Sequence, residues 1–167
     1  MDARLHGLIL GIDPGLAATG LAVLAGDGSV VACRSVKTAP GPAGPRLIRI
    51  VDGVRETLAA HTIVEASLEE LFMGRNSSSA IGVAQARGAI LWTLEDAGIP
   101  VWEYKPSQVK SVLTGYGMAP KAQMARMLEV QVAGLGRLDD HAIDAVAIAI
   151  CHSRSRRIRT AVAAARG

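Results

Sequence analysis

Acidic residues in apolar surroundings are the features of this sequence most able to do chemistry. Asp13 closes the run Leu8 to Ile12 in the segment Gly11-Ile12-Asp13-Pro14-Gly15, and Asp144 stands inside Ala142-Ile143-Asp144-Ala145-Val146-Ala147-Ile148. A carboxylate placed among so many apolar neighbours costs several kcal/mol or neutralises, unless a hydrogen-bonded partner or a metal holds its charge. His141 and Asp140 lie one helical turn before Asp144 and share its side of a helix. A further acid must come from Glu65, Glu69 or Glu70, of which Glu65 and Glu69 fall on one strand face by period two. Carboxylates with one imidazole suit Mg2+ or Mn2+ better than zinc, which calls for more nitrogen or sulfur. Two such ions about 3.5–4 Å apart activate water and stabilise both oxygens of an in-line displacement, so the implied chemistry is phosphodiester hydrolysis without a side-chain nucleophile. Each residue also has a plainer reading. Asp13 suits a turn, Asp140 favours a helix dipole, and His141 could be a surface imidazole near a helix start.

The elements that must position these groups follow from periodicity. Leu8 to Ile12, Gly20 to Ala25 and Val30 to Val36 read as strands joined by short Gly-containing turns, an antiparallel meander. After a Pro- and Gly-rich stretch from Ala39 to Pro45, Arg46 to Ala60 carries apolar residues at helical spacing. Thr62 to Glu69 reads as a strand that a right-handed crossover would lay parallel to one of the meander strands. If its neighbour is the strand of Asp13, Glu69 emerges beside Asp13 at the C-terminal strand ends, where open sheets place ligands. Ser78 to Asp96 reads as a helix with small residues at Gly82, Ala86 and Ala89, then Ile99 to Glu103 as a strand. Lys105 to Leu113, Pro120 to Val132 and Leu138 to Ser153 read as helices. The fold class is α/β, a mixed five-stranded sheet (antiparallel meander plus parallel strands) with helices on both faces.

The bulk properties narrow the function classes. A chain of 167 residues, half of them hydrophobic, can bury about two thirds of its unfolded surface in one core. The division expected is a nuclease domain over 1–153 and a basic, flexible tail over 154–167, where Arg154, Arg156, Arg157, Arg159 and Arg166 crowd together. That tail and the net charge of +3 suit a polyanionic partner. The two cysteines, Cys33 and Cys151, are far apart without metal-ligand spacing, which fits a reducing, cytoplasmic setting. No membrane span is expected. Only five aromatics occur, so any exposed one is informative.

Four segments together, Gly11 to Gly15, Leu68-Glu69-Glu70-Leu71-Phe72-Met73, Gln85-Ala86-Arg87-Gly88 and Asp144 to Ala149, resemble the RuvC family of bacterial Holliday junction resolvases. The resemblance spans Leu8 to His152 and implies a ribonuclease H-like fold. It implies catalytic metal binding by Asp13, Glu69, His141 and Asp144, with Asp13 bridging two Mg2+ or Mn2+ ions per subunit. At His141 many members of the family have an aspartate instead. It also implies that Lys110 and Lys121 hold phosphates of the scissile strand, that Phe72 stacks on or wedges between bases, and that Arg75 and Asn76 touch DNA. A homodimer built through the Ser78 to Asp96 helix, a four-way junction as substrate, paired symmetric nicks with 5′-phosphate and 3′-hydroxyl ends, and the RuvA and RuvB branch-migration proteins as partners are implied in the same way. Two other readings compete: a structure-selective DNA-binding module without catalysis, and an actin-like phosphate-binding domain suggested by Gly11 to Gly15 with Thr19-Gly20.

Overall fold

In a computed structural model, which describes residues 7–71, 77–132 and 138–166, the meander consists of β1 (Leu8–Asp13), β2 (Ala18–Leu24) and β3 (Val30–Lys37). Helix α1 (Ala43–Ala60) follows and leads into β4 (Ile63–Glu69), then α2 (Ser77–Asp96), β5 (Val101–Tyr104), α3 (Pro106–Thr114), α4 (Lys121–Gln131) and α5 (Asp140–Arg166). The strands form one sheet in the order β3-β2-β1-β4-β5. β1 pairs antiparallel with β2 and parallel with β4, and β4 pairs parallel with β5. The parallel pairing of β1 and β4 is the arrangement on which the choice of Glu69 depended.

Period-two alternation divides the core into two layers. Leu10 and Ile12 of β1, with Ala66 and Leu68 of β4, face Ile50 and Val54 of α1 and Ala86, Ile90 and Leu94 of α2. Ile9 and Ala22 face the other way, onto Ala145, Val146 and Ala149 of α5 and onto Val109 and Leu113 of α3. Asp13 is in step with Ile9, and Glu69 with Glu65, so both belong to the α5 face.

Glycines let α5 lie directly on that face. A β-carbon on Gly11 would collide with the carbonyl oxygen of Ala145 and come within 2.6 Å of Ala149 Cβ, and one on Gly20 would strike the carbonyl of His141. The helix stripe 141, 145, 149 therefore rests on main chain, which sets the height of the first α5 turn above the ends of β1 and β2.

Several elements differ from the sequence reading at their ends. Helix α1 begins at Ala43, inside the stretch assigned to a loop, because Pro45 falls in the first helical turn, where a missing N–H removes no helical bond. Helix α5 continues past Ser153 to Arg166, where a flexible tail was expected. Part of the reason is local: Arg154 donates to Val112 O at 3.0 Å and Gln131 Oε1 at 2.6 Å, and buried Arg156 reaches Glu65 Oε2 at 3.1 Å. Those two arginines bind this chain's own groups. The small-residue stripe also turns inward, with Ala86 buried and Gly82 packed against Leu16. Among the described residues, no helix is long and apolar enough to cross a membrane.

Candidate active site

The C-terminal ends of β1 and β4 open into a cleft of about 320 Å³ lined by Asp13, Glu69, Lys110, Lys121 and Asp144. Asp13 closes β1, and Glu69 closes β4 one residue beyond the last registered pair, Ile12 with Leu68. Asp144 comes down from the second turn of α5, whose start is fixed by Asp139. That side chain accepts the N–H of Ala142 at 3.1 Å as a helix cap, takes the hydroxyl of Ser35, and pairs with Lys37 at 3.1 Å. With the Ser35 bond first among the causes, the Asp139 carboxyl is held down to about 2.

The site is crowded with like charge. Burial, then the charges of Asp13 and Asp144, push Glu69 up to about 7, against an opposing pull from Lys110. Asp144 is raised by burial and by Asp13, and Asp13 by burial in spite of its bond to His141. His141 Nδ1 donates to Asp13 Oδ2 at 2.7 Å, so the imidazole belongs to the same cluster. Lys121 pairs with Asp140 at 2.9 Å and lies 3.9 Å from Asp144. Asp140 is thus neutralised on the rim, while Asp13, Glu69 and Asp144 face one another.

This donor set fits divalent cations. Its donor groups are hard carboxylates with one imidazole, while Cys33 is turned to the carbonyl of Ala142 and Cys151 is buried in the core. Among the described residues no three acidic, histidine or cysteine side chains close on a common point. Burial raises all three carboxyl groups and like charge adds to it at Glu69 and Asp144, and an added dication would offset both effects.

Other sequence expectations are sorted by the same geometry. Glu65 is not in the cleft; it is buried under α5, bonded to His152 Nε2 at 2.9 Å and to Arg156. Lys110 and Lys121 both line the cleft, on α3 and at the start of α4. Phe72, Arg75 and Asn76 lie outside the described residues. Two groups were given no role in the sequence reading, although Arg87 stands in the quoted segment Gln85-Ala86-Arg87-Gly88. Asp139 carries a recognisable signal, an aspartate just ahead of a helix. Arg87, whose guanidinium donates to the main-chain oxygen of Glu69 at 2.6 Å, is a charge on the inward face of α2 that no periodicity distinguishes.

With this geometry in place, known proteins give a consistent comparison. The family model described as crossover junction endodeoxyribonuclease RuvC matches residues 9–152. A crossover junction endodeoxyribonuclease RuvC from Chloroflexus aggregans is 45% identical over 150 residues, covering 86% of this chain and 91% of that protein. One from an Anaeromyxobacter species (strain Fw109-5) is 41% identical over 163 residues, covering 95% and 79%. Among solved structures, T. thermophilus RuvC in complex with a Holliday junction substrate superposes with a TM-score of 0.84 at 37% identity, covering 93% of this chain and 98% of that one. The yeast mitochondrial Holliday junction resolvase Ydc2 shares the fold, with a TM-score of 0.59 at 12% identity over 87% of this chain and 78% of its own. The match over most of the sequence, in a chain whose sheet and helices superpose on those of its relative, shows that this protein belongs to the RuvC family of crossover junction endodeoxyribonucleases.

Proposed function

We propose that this chain resolves four-way DNA junctions by paired, symmetric nicks that leave 5′-phosphate and 3′-hydroxyl ends, with Asp13, Glu69, Asp144 and His141 holding two Mg2+ or Mn2+ ions per subunit. Family membership makes it a crossover junction endonuclease of recombination and repair, and divalent-metal use comes with the family. One observation supports the finer reading most: three carboxylates with shifted ionisation share a cleft with two lysines.

When bound, the ions would supply an activated water and charge stabilisation for the attacking and leaving oxygens. The protein's own groups do the rest. Asp13 and Glu69 are fixed by strand ends and Asp144 by a capped helix, so the ligand set is held by rigid elements. His141 serves as a ligand only as the neutral imidazole. Lys110 and Lys121 face the cleft and hold a phosphate of the scissile strand, for which Lys121 exchanges its contact with Asp140 for one with DNA.

Paired nicking calls for two sites related by a two-fold axis, matching the symmetry of the junction. Helix α2 supports such a dimer. Its outward face carries Ile81 (62% exposed) and Trp92 (59%), with Gly88 between them open to close approach. By family resemblance Phe72, Arg75 and Asn76 contact the DNA, RuvA and RuvB are partners, and the protein works in the cytoplasm.

The test is cleavage of a labelled synthetic four-way junction and a linear duplex of matching sequence, in Mg2+ and in Mn2+, by wild type and Asp13→Asn. Symmetric nicks on the junction alone, lost in Asp13→Asn, are expected. Equal cleavage of both substrates would remove junction selectivity, and binding without cleavage in either metal would leave a DNA-binding module.

A further inference from the structure

The segment Gln85-Ala86-Arg87-Gly88 has no part in the chemistry described so far, yet it contains a buried charge. Arg87 is 8% exposed and sits on the inward face of α2 beside Ala86 and Ile90. Its guanidinium forks: Nη1 donates to the main-chain oxygen of Glu69 at 2.6 Å, and Nη2 pairs with the carboxylate of Glu103 on β5.

The place where this fork lands matters. The ladder between β1 and β4 has its last registered pair at Ile12 and Leu68, so the carbonyl of Glu69 lies past the end of that pairing. On the other side, the N–H of Glu70 is taken by Tyr104 O at 2.8 Å. The peptide linking Glu69 to Glu70 is therefore held at one end by β5 and at the other by Arg87. The Glu69 side chain lies on the opposite face of the sheet, in the cleft lined also by Asp13 and Asp144.

We propose that Arg87 is a positioning residue for the metal-binding cluster: it fixes the backbone of Glu69 from the far face of the sheet, so that the carboxylate stays in register with Asp13 and Asp144. The proposal rests on Glu69 being a metal ligand. A lysine cannot reproduce the role in full, because a single ammonium lacks the planar fork that spans a carbonyl and a carboxylate.

The test measures Mn2+ binding calorimetrically to the DNA-free protein, with thermal stability and junction KM recorded beside it. Arg87→Met is expected to weaken Mn2+ binding by about tenfold or more, the scale for groups that orient a ligand, with Arg87→Lys intermediate. Junction KM should stay near wild type, and cleavage should recover at high Mn2+. Glu103→Ala, which removes the carboxylate partner of Arg87 without opening a buried cavity, should shift binding the same way by less. Ile90→Ala, a buried change on the same helix with no bond to Glu69, should lower the melting temperature and leave Mn2+ affinity alone. Wild-type Mn2+ binding in Arg87→Met and Glu103→Ala, or equal weakening in Ile90→Ala, overturns the proposal. Wild-type Mn2+ binding in Glu69→Gln would instead remove the ligand assignment beneath it, and the proposal with it.

Discussion

Glu65 and Glu69 stand on the same face of the same strand, four residues apart, and the protein treats them in opposite ways. Glu65 is buried under α5, where His152 and Arg156 approach its Oε2 at 2.9 and 3.1 Å and Tyr104 bonds the far side of the His152 ring at 2.8 Å. Glu69, at the strand end, is pushed up to about 7 by its burial and then by two further carboxylates, Asp13 and Asp144. One charge is met by partners from within the chain; the other shares a cleft with two more carboxylates, as the proposed metal site requires. A buried ion pair of the first kind is weak evidence for stabilisation, but breaking it is costly. A cluster of the second kind costs stability in the free protein and marks a site of function.

That contrast makes distinct demands on each region. The largest stability effect belongs to Glu65→Ala, which removes a buried carboxylate bonded to both His152 and Arg156 and is expected to cost about 3–5 kcal/mol, read as a fall in the denaturant midpoint. A cost below about 1 kcal/mol, the scale of an exposed pair, would remove the distinction between the two glutamates.

A smaller effect concerns pH and metal at the other glutamate. The folded-state value for Glu69 lies above its ordinary 4.5, so its contribution favours the fold below pH 4.5 and is lost as pH rises through about 7. The metal-free protein should therefore lose a few degrees of melting temperature between pH 5 and 8 relative to Glu69→Gln, and millimolar Mg2+ should restore it at pH 8 by mass action. Identical pH profiles for wild type and Glu69→Gln in chelator would contradict the raised carboxyl.

The smallest of the three is Asp139→Ala. Loss of the cap and its ties to Ser35 and Lys37 should cost about 1 kcal/mol. The sign with pH is reversed here, since a carboxyl held near 2 contributes stability above pH 3.8 that disappears as pH falls toward 2. Urea melts at pH 7 and pH 3 should show the variant's deficit shrinking at the lower pH.

Much of this was legible in the residues. Alternation and glycine turns located all five strands, and the position of Asp13 at a strand end and of Asp144 in an apolar helix singled out two of the acids that line the cleft. Choosing among Glu65, Glu69 and Glu70 was beyond periodicity, because the choice depends on partners 87 and 91 residues away in the chain. The same distance hid the arginines. Arg154 and Arg156 read as members of a basic, flexible tail, yet their partners on α3, α4 and β4 draw them against the fold. Gly82 and Ala86 showed that α2 packs closely on something; that it is this chain's own core, with Ile81 and Trp92 facing outward, follows from how α1 and α2 share the sheet.

The most direct test of the account is single-turnover cleavage of a four-way junction in Mg2+ by two matched variants, Glu65→Gln and Glu69→Gln, each below its melting transition. The account predicts that Glu69→Gln loses activity by about a thousandfold or more, some 4 kcal/mol of barrier, while Glu65→Gln stays within a few-fold of wild type. Cleavage by Glu69→Gln at the wild-type rate, or an equal loss in both variants, would contradict it.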